Sequence, residues 1–238
     1  MSAISLDRWL QHLHEHLPIA RLGDDPEGVH QVRVAVRRLR VWLRLAGMRV
    51  LEDDLAWLVR AAGQVRDLEV LLQHPGLPRA FQKWAVHQLQ HAREQFIPLL
   101  DSPRLAGLLR ALASLPPLDS TKAEARIERF IQQVERRADA WHSEDTIENL
   151  HALRRALRRL RYAREWLGHN SNTVKALQEI FGRVGDLSFI LDYLQAFEAE
   201  GGQPPSRYRS RLEVDLSEAL IEAQKAWEQH RDDLRPSG

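Results

Sequence analysis

One long pattern in this sequence occurs twice. VHQVRVAVRRLRVWLRLAG (Val29 to Gly47) aligns with LHALRRALRRLRYAREWLG (Leu150 to Gly168) at an offset of 121, and AAGQVRDLEVLL (Ala61 to Leu72) follows with IFGRVGDLSFIL (Ile180 to Leu191) at an offset of 119. Two ordered matches at nearly one offset are poorly explained by chance, so the fold must accommodate two similar halves. Apolar residues recur at three- and four-residue steps almost everywhere, and the period-two alternation of half-buried strands is missing. The expected class is therefore all-α.

Helix ends are marked by their capping chemistry. Asp25 before Pro26, and Ser102 before Pro103, read as N-caps with proline in the first turn. Gly47 and Gly168 fall where two helices should stop. Helices are expected near 3–16, 26–46, 51–73, 77–98, 103–114, 121–142, 145–167, 172–199 and 206–233. The paired prolines of LPPLDS, Leu115 to Ser120, cannot continue a helix, so a first half over 1–118 and a second over 119–238 are expected. The simplest architecture is two antiparallel four-helix bundles related by a pseudo-twofold axis into one unit, with equivalent helices brought together.

At about 100° per residue, His30, Arg33, Arg37, Arg40 and Arg44 fall within roughly an 80° arc. Val32, Val36, Leu39 and Leu43 occupy the adjoining arc and should face the core. His151, Arg154, Arg158 and Arg161 reproduce the stripe, and Leu153, Leu157 and Leu160 the apolar face. Arg38 and Arg159 match each other off the stripe and are expected to point to solvent. Six arginines and no acid lie between Gly28 and Leu51, and again between His151 and Arg164. Like charges at this spacing destabilise a helix by a few tenths of a kcal/mol, roughly, per pair, so the density calls for a partner. Asp67 and Asp186, at matched positions on the following helices, are the internal candidates, with Glu69 helping in the first half. An external polyanion is the other. The bland reading is a solvated face laced with salt bridges, and duplication weighs against it.

Bulk charge conceals this asymmetry, because 34 Lys and Arg face 33 Asp and Glu. Only four of the basic residues are lysine, which leaves mostly planar, permanently charged forks suited to phosphate. Cysteine is absent, which excludes disulfides and thiolate chemistry. The amphipathic start, MSAISLDRWLQHLHEHL, is unlike a signal peptide, and no apolar stretch is long enough to span a bilayer. A cytoplasmic protein without membrane attachment is expected.

Other motifs are weaker. His87 and His91 have two-ligand metal spacing without an evident third ligand, and an exposed helix face is the plainer reading. His12, His14 and His16 alternate across a helix and are not expected to converge. No phosphate-cradling glycine loop appears. Trp42 and Trp166 lie off the stripe, as core residues do, so the basic face lacks the aromatic interleaving of single-strand nucleic-acid binders.

DPEGVHQVRVAVRRLR followed by GQVRDLEVLL, and LHALRRALRRLRYA followed by LQEIFGRVGDL, resemble the CHAD family, named for a conserved-histidine alpha-helical domain. The resemblance covers nearly the whole chain. It implies two four-helix bundles around a central basic channel, and non-catalytic binding of inorganic polyphosphate by the histidines and basic residues that line it. By that resemblance the binding residues are His30, Arg33, Arg37, Arg40 and Arg44 in the first half, His151, Arg154, Arg158 and Arg161 in the second, and Arg104 in DSPRLAGLL. No catalytic residue, metal or cofactor is expected, and association with polyphosphate granules is suggested. Gly185 in place of Arg66, and Glu165 within the second stripe, depart from the pattern and imply unequal halves. A nucleic-acid binder, an enzyme of polyphosphate metabolism and a purely structural scaffold are the competing readings.

Overall fold

The computed structural model describes residues 3–234. The described residues are almost entirely helical: α1 (Asp7–Leu22), α2 (Pro26–Ala46), α3 (Glu52–Gln73), α4 (Arg79–Leu100), α5 (Pro103–Ala113), α6 (Ser120–Ser143), α7 (Ile147–Leu167), α8 (Asn172–Ala199) and α9 (Ser206–His230), with a short 3-10 turn at Asp232–Leu234. The chain divides into two compact units between Ala123 and Glu124, inside the first turn of α6.

In the first unit α1 packs on α2, α2 on α3 and α3 on α4, while α5 touches α1 and α3. This unit thus carries a fifth helix beyond the four-helix pattern expected. Its core is the apolar arc of α2, with Val32, Val36, Leu39 and Leu43 all buried beside Leu58, Val65 and Leu68 of α3. Trp42 is buried among them and donates its indole N–H to the Ile4 carbonyl at 3.0 Å. That bond anchors a two-residue strand, β1 (Ala3–Ile4), which pairs antiparallel with β2 (Leu118–Asp119) in the register Ala3 to Asp119.

Sequence reading and structure differ most at α1. A helix over 3–16 is expected, yet α1 starts at Asp7 and runs through Pro18 to Leu22. Proline removes one helical donor, but packing overrides the local signal, because Ala20 is buried where α1 meets α2. Gly28 makes that approach feasible. A Cβ there would stand 2.5 Å from the Ala20 nitrogen and 2.7 Å from the Ile19 carbonyl carbon.

In the second unit α7 packs on α8 and α8 on α9. Leu153, Leu157 and Leu160 of α7 are buried, as their pattern predicts. The α6 side chains Phe130, Ile131, Val134, Ala138 and Trp141 are buried as well, and Trp141 meets Phe181 of α8 edge-on at 5.7 Å between centroids. Tertiary demands change one stripe-helix arginine. Arg164 stands where the first copy has Leu43, is buried, and donates to the Leu234 carbonyl at 2.6 Å.

Both stripe helices begin and end alike. Asp25 accepts from the Glu27 amide at 2.8 Å, and Thr146 from the Asn149 amide at 3.3 Å. Gly47 and Gly168 close α2 and α7 with the same left-handed φ of 74°.

Candidate functional site

The expected stripe on α2 is half-buried against α3 and does not stand free in solvent. Arg33 is more enclosed than Arg40 or Arg44, with only 12% of its side chain exposed, and its Nη2 lies 3.6 Å from Asp67 Oδ1. Gly63 of α3 admits it, since a Cβ there would stand 3.1 Å from Arg33 Nη1. Arg40 and Arg44 converge on Glu52 at the start of α3, with Arg44 Nε donating to Oε1 at 2.9 Å and Arg40 Nη2 at 3.5 Å. Leu51 directs this turn by adopting a left-handed φ of 65°. Burial pushes the Glu52 carboxyl up, but the hydrogen bonds and charges of Arg44 and Arg40 outweigh it and hold it below its ordinary range. The α2 stripe is therefore divided: Glu52 offsets one of the two charges at its C-terminal end, and His30, Arg33 and Arg37 form the N-terminal end.

His30 reports the potential at that end. Burial lowers its pKa from the ordinary 6.5, and the charges of Arg66, Arg37 and Arg33 lower it further against the opposing pull of Glu27. Arg66 is thus a member of the cationic group that the stripe pattern alone does not reveal. It lies 3.8 Å from Glu69, a buried carboxylate that also accepts from Arg93 of α4 at 3.0 Å. Burial raises the carboxyls of Asp67 and Glu69 despite these arginines.

The α7 stripe repeats the design with different charge bookkeeping. Arg154 Nη2 lies 3.9 Å from Asp186 Oδ1, and its guanidinium lies against two glycines of α8. A Cβ at Gly182, the match of Gly63, would stand 3.6 Å from Arg154 Nη2, and one at Gly185 only 2.4 Å from Nη1. Gly185 replaces Arg66 and Ser188 replaces Glu69, so an ion pair of the first unit becomes a neutral pair in the second. The Ser188 hydroxyl then contacts His151 Nε2 at 3.2 Å. Burial lowers the His151 pKa, as do Arg154 and Arg155, against Asp192 and Glu148. The other departure, Glu165, lies 3.2 Å from Arg161 Nε, and α8 has no acid in its first turn. Glu165, which stands where the first copy has Arg44, thus offsets the charge of Arg161 from within α7.

The remaining expected positions are placed as follows. Arg37 lies close enough to Asp67 and His30 to act on both, and Arg158 is half-buried on α7. Arg104 is committed to the start of α3, where Nε donates to Asp54 at 2.8 Å and the guanidinium stacks 4.5 Å from the Trp57 centroid. Arg38 does not point to solvent; it lies half-buried over the Trp9 ring at 4.2 Å, and Arg159 is half-buried too. Trp42 is core as expected, whereas Trp166 is half-buried. His87 and His91 lie on an exposed face. The N-terminal histidines correct the expectation: His14 is exposed, but His12 and His16 converge with Glu15, one ligand atom from each lying within 4.8 Å of the others.

A cavity of about 800 Å³ in the second unit, floored by Trp141, Leu160 and Trp227, carries Glu135, Asp139, Asp145 and Glu228 in its lining. Its carboxylates suit it poorly to an anion.

The CHAD domain profile matches residues 5–195. The chain belongs to the CHAD family. Its fold is that of the CHAD domain from the plant Ricinus communis, with 24% identity, a TM-score of 0.72, and coverage of 98% of this chain and 90% of that one. PptA from Streptomyces chartreusis has the same fold at 18% identity and a TM-score of 0.70, covering 94% of this chain and 97% of its own. No curated protein matches the chain. The CHAD family is associated with polyphosphate. Among the described residues, no helix of this CHAD protein is long and apolar enough to cross a membrane.

Proposed function

We propose that this CHAD protein binds inorganic polyphosphate, without acting on it chemically, through the N-terminal ends of its two arginine stripes. His30, Arg33 and Arg37 serve in one unit and His151, Arg154 and Arg158 in the other. The observation that carries the reading is the repeated geometry of Arg33 and Arg154, each laid on a glycine of the following helix and no nearer than 3.6 or 3.9 Å to its aspartate. A duplicated, cation-rich surface with half-buried guanidinium groups suits successive phosphates, which arginine grips through short, often bidentate hydrogen bonds. The pairs to Asp67 and Asp186, at 3.6 and 3.9 Å, are longer than such bonds and leave room for a stronger acceptor. Arg44, Arg161 and Arg104 already hold Glu52, Glu165 and Asp54 more closely, at 2.9, 3.2 and 2.7 Å, so they contribute less, and Arg40 shares Glu52 with Arg44 at 3.5 Å.

A binding role fits this chemistry better than hydrolysis. Cleavage of a phosphoanhydride calls for a positioned nucleophile or for a cation held by several oxygens, and the acids paired with the stripes, Asp67 and Glu52 in one unit and Asp186 and Glu165 in the other, face arginine. Two substitutions on the partly exposed members test the proposal. Arg37→Gln with Arg158→Gln should retain the helical circular-dichroism signal and weaken polyphosphate binding by about tenfold or more, each lost charged hydrogen bond being worth about 1.5–3 kcal/mol. Undiminished affinity in that variant would remove the stripes from the site, and phosphate release on adding magnesium would replace binding with catalysis.

A further inference from the structure

We propose that α1 carries a binding site for one divalent transition-metal ion, formed by His12, Glu15 and His16. The site is separate from the arginine stripes and rests on other observations. In HLHEH, the histidines are four residues apart and the glutamate is three after the first, so all three share one face of α1. One ligand atom from each lies within 4.8 Å of the others, and the two imidazole centroids are 4.1 Å apart.

The surrounding hydrogen bonds present the histidines as ligands. His16 Nδ1 lies 2.8 Å from the His12 carbonyl, which only accepts, so Nδ1 carries the proton and Nε2 keeps its lone pair. His12 Nε2 lies 2.8 Å from Gln31 Oε1 of α2, while the Gln31 amide nitrogen donates to Glu27. The Glu27 carboxylate thereby fixes the Gln31 amide with its oxygen toward His12, which leaves His12 Nδ1 with the lone pair. Metal-binding histidines are typically held in this way, by a carbonyl or carboxylate on the opposite ring nitrogen that fixes the tautomer and raises basicity. Both rings are half-buried, and Trp9 meets His12 edge-on at 5.1 Å between centroids. Glu15 is exposed and takes the Gln11 amide at 2.9 Å on one oxygen, which leaves the other for a metal.

The two imidazoles are borderline ligands that favour zinc, copper or nickel over magnesium and calcium, and the carboxylate is a ligand zinc also accepts. The same donor set leaves a fourth position open, as zinc sites with an exchangeable ligand do. The sequence pattern hides this arrangement, because the three histidines alternate and the third ligand is a glutamate between two of them.

The test is a titration of the metal-free full-length protein with Co²⁺ alone, followed in the visible region, and then with Zn²⁺. One equivalent of Co²⁺ should give the intense ligand-field bands of a low-coordinate centre, which Zn²⁺ should abolish. His16→Asn should weaken Co²⁺ binding by about 100-fold or more, and Gln31→Leu, which alters no ligand, by about 10–100-fold. His87→Asn with His91→Asn should leave the bands unchanged. Circular dichroism checks that each variant folds, and Gln31→Leu keeps the test decisive if His16→Asn does not. Absence of the low-coordinate bands, or affinity that survives His16→Asn in folded protein, overturns the proposal.

Discussion

His30 and His151 couple the proposed site to pH in two opposing ways. Burial and neighbouring arginines hold both below 6.5 in the free protein, so the folded state resists a proton that the unfolded chain accepts. The unfolded state therefore binds more protons, and stability from these groups is present above about pH 6.5 and lost as pH falls through their folded values. Asp67 and Glu69, raised from 3.8 and 4.5, act with the opposite sign in a more acidic window. A bound polyanion reverses the histidine effect, since phosphate charge favours the imidazolium that the arginines oppose. Polyphosphate affinity should accordingly rise between about pH 7.5 and 5.5, with proton uptake on binding. His30→Gln with His151→Gln should flatten that dependence, which titration calorimetry in buffers of different ionisation enthalpy would read. At this scale the sequence shows which residues carry charge, but not which charges are cancelled. Arg44 and Arg33 share one stripe, yet Glu52 takes the Nε hydrogen of the first at 2.9 Å, whereas Asp67 lies 3.6 Å from the second.

At the scale of elements, glycines rather than charges fix how the stripes sit. Gly28 lets the end of α1 press against the start of α2, two residues before His30. Gly28→Ala sets a methyl against the α1 backbone and should cost about 1–3 kcal/mol, the usual range for overpacking, seen as a lower melting temperature. Gly185→Ala makes the contrasting case. Its methyl would clash only with the flexible end of Arg154 and would lie in ordinary contact with His151 Cε1 at 3.6 Å, so helix stability should hold or rise by up to about 1 kcal/mol. The guanidinium would swing off α8, and polyphosphate affinity should fall roughly tenfold for one lost charged hydrogen bond. Unchanged affinity would show that Arg154 acts from elsewhere. Helices α2 and α7 were legible from their caps and apolar arcs. α1 was not, because Pro18 reads locally as a stop while the buried contact of Ala20 carries the helix past it. Nor did the pattern reveal that Arg38 would lie under α1 on Trp9, since only the packed fold brings that ring to it.

For the whole molecule, the duplication carries the most information, because each copy checks the other. Where the copies agree, at His30 and His151, Arg33 and Arg154, Gly63 and Gly182, Asp67 and Asp186, the structure repeats a guanidinium laid on a glycine beside an aspartate. Where they differ, one exchange is compensating and one is not: Arg66 with Glu69 becomes the neutral Gly185 with Ser188, while Glu165 takes the place of Arg44, so that Arg40, Arg44 and Glu52 together carry one positive charge and Arg161 with Glu165 none. The departures were visible in the sequence, but their effect on the charge balance was not, because the partners lie on different helices. The cationic character that the polyphosphate reading requires is therefore local to the N-terminal ends of the stripes, at Arg33 and Arg37 in one unit and Arg154 and Arg158 in the other. The most direct test is calorimetric titration of the protein with long-chain polyphosphate across a salt series, against duplex DNA at equal phosphate concentration. The account predicts saturable polyphosphate binding that weakens linearly in log salt, by a slope of roughly 0.7–0.9 per phosphate contact, with much weaker binding of DNA. Equal binding of both polymers, or polyphosphate affinity indifferent to salt, would contradict it.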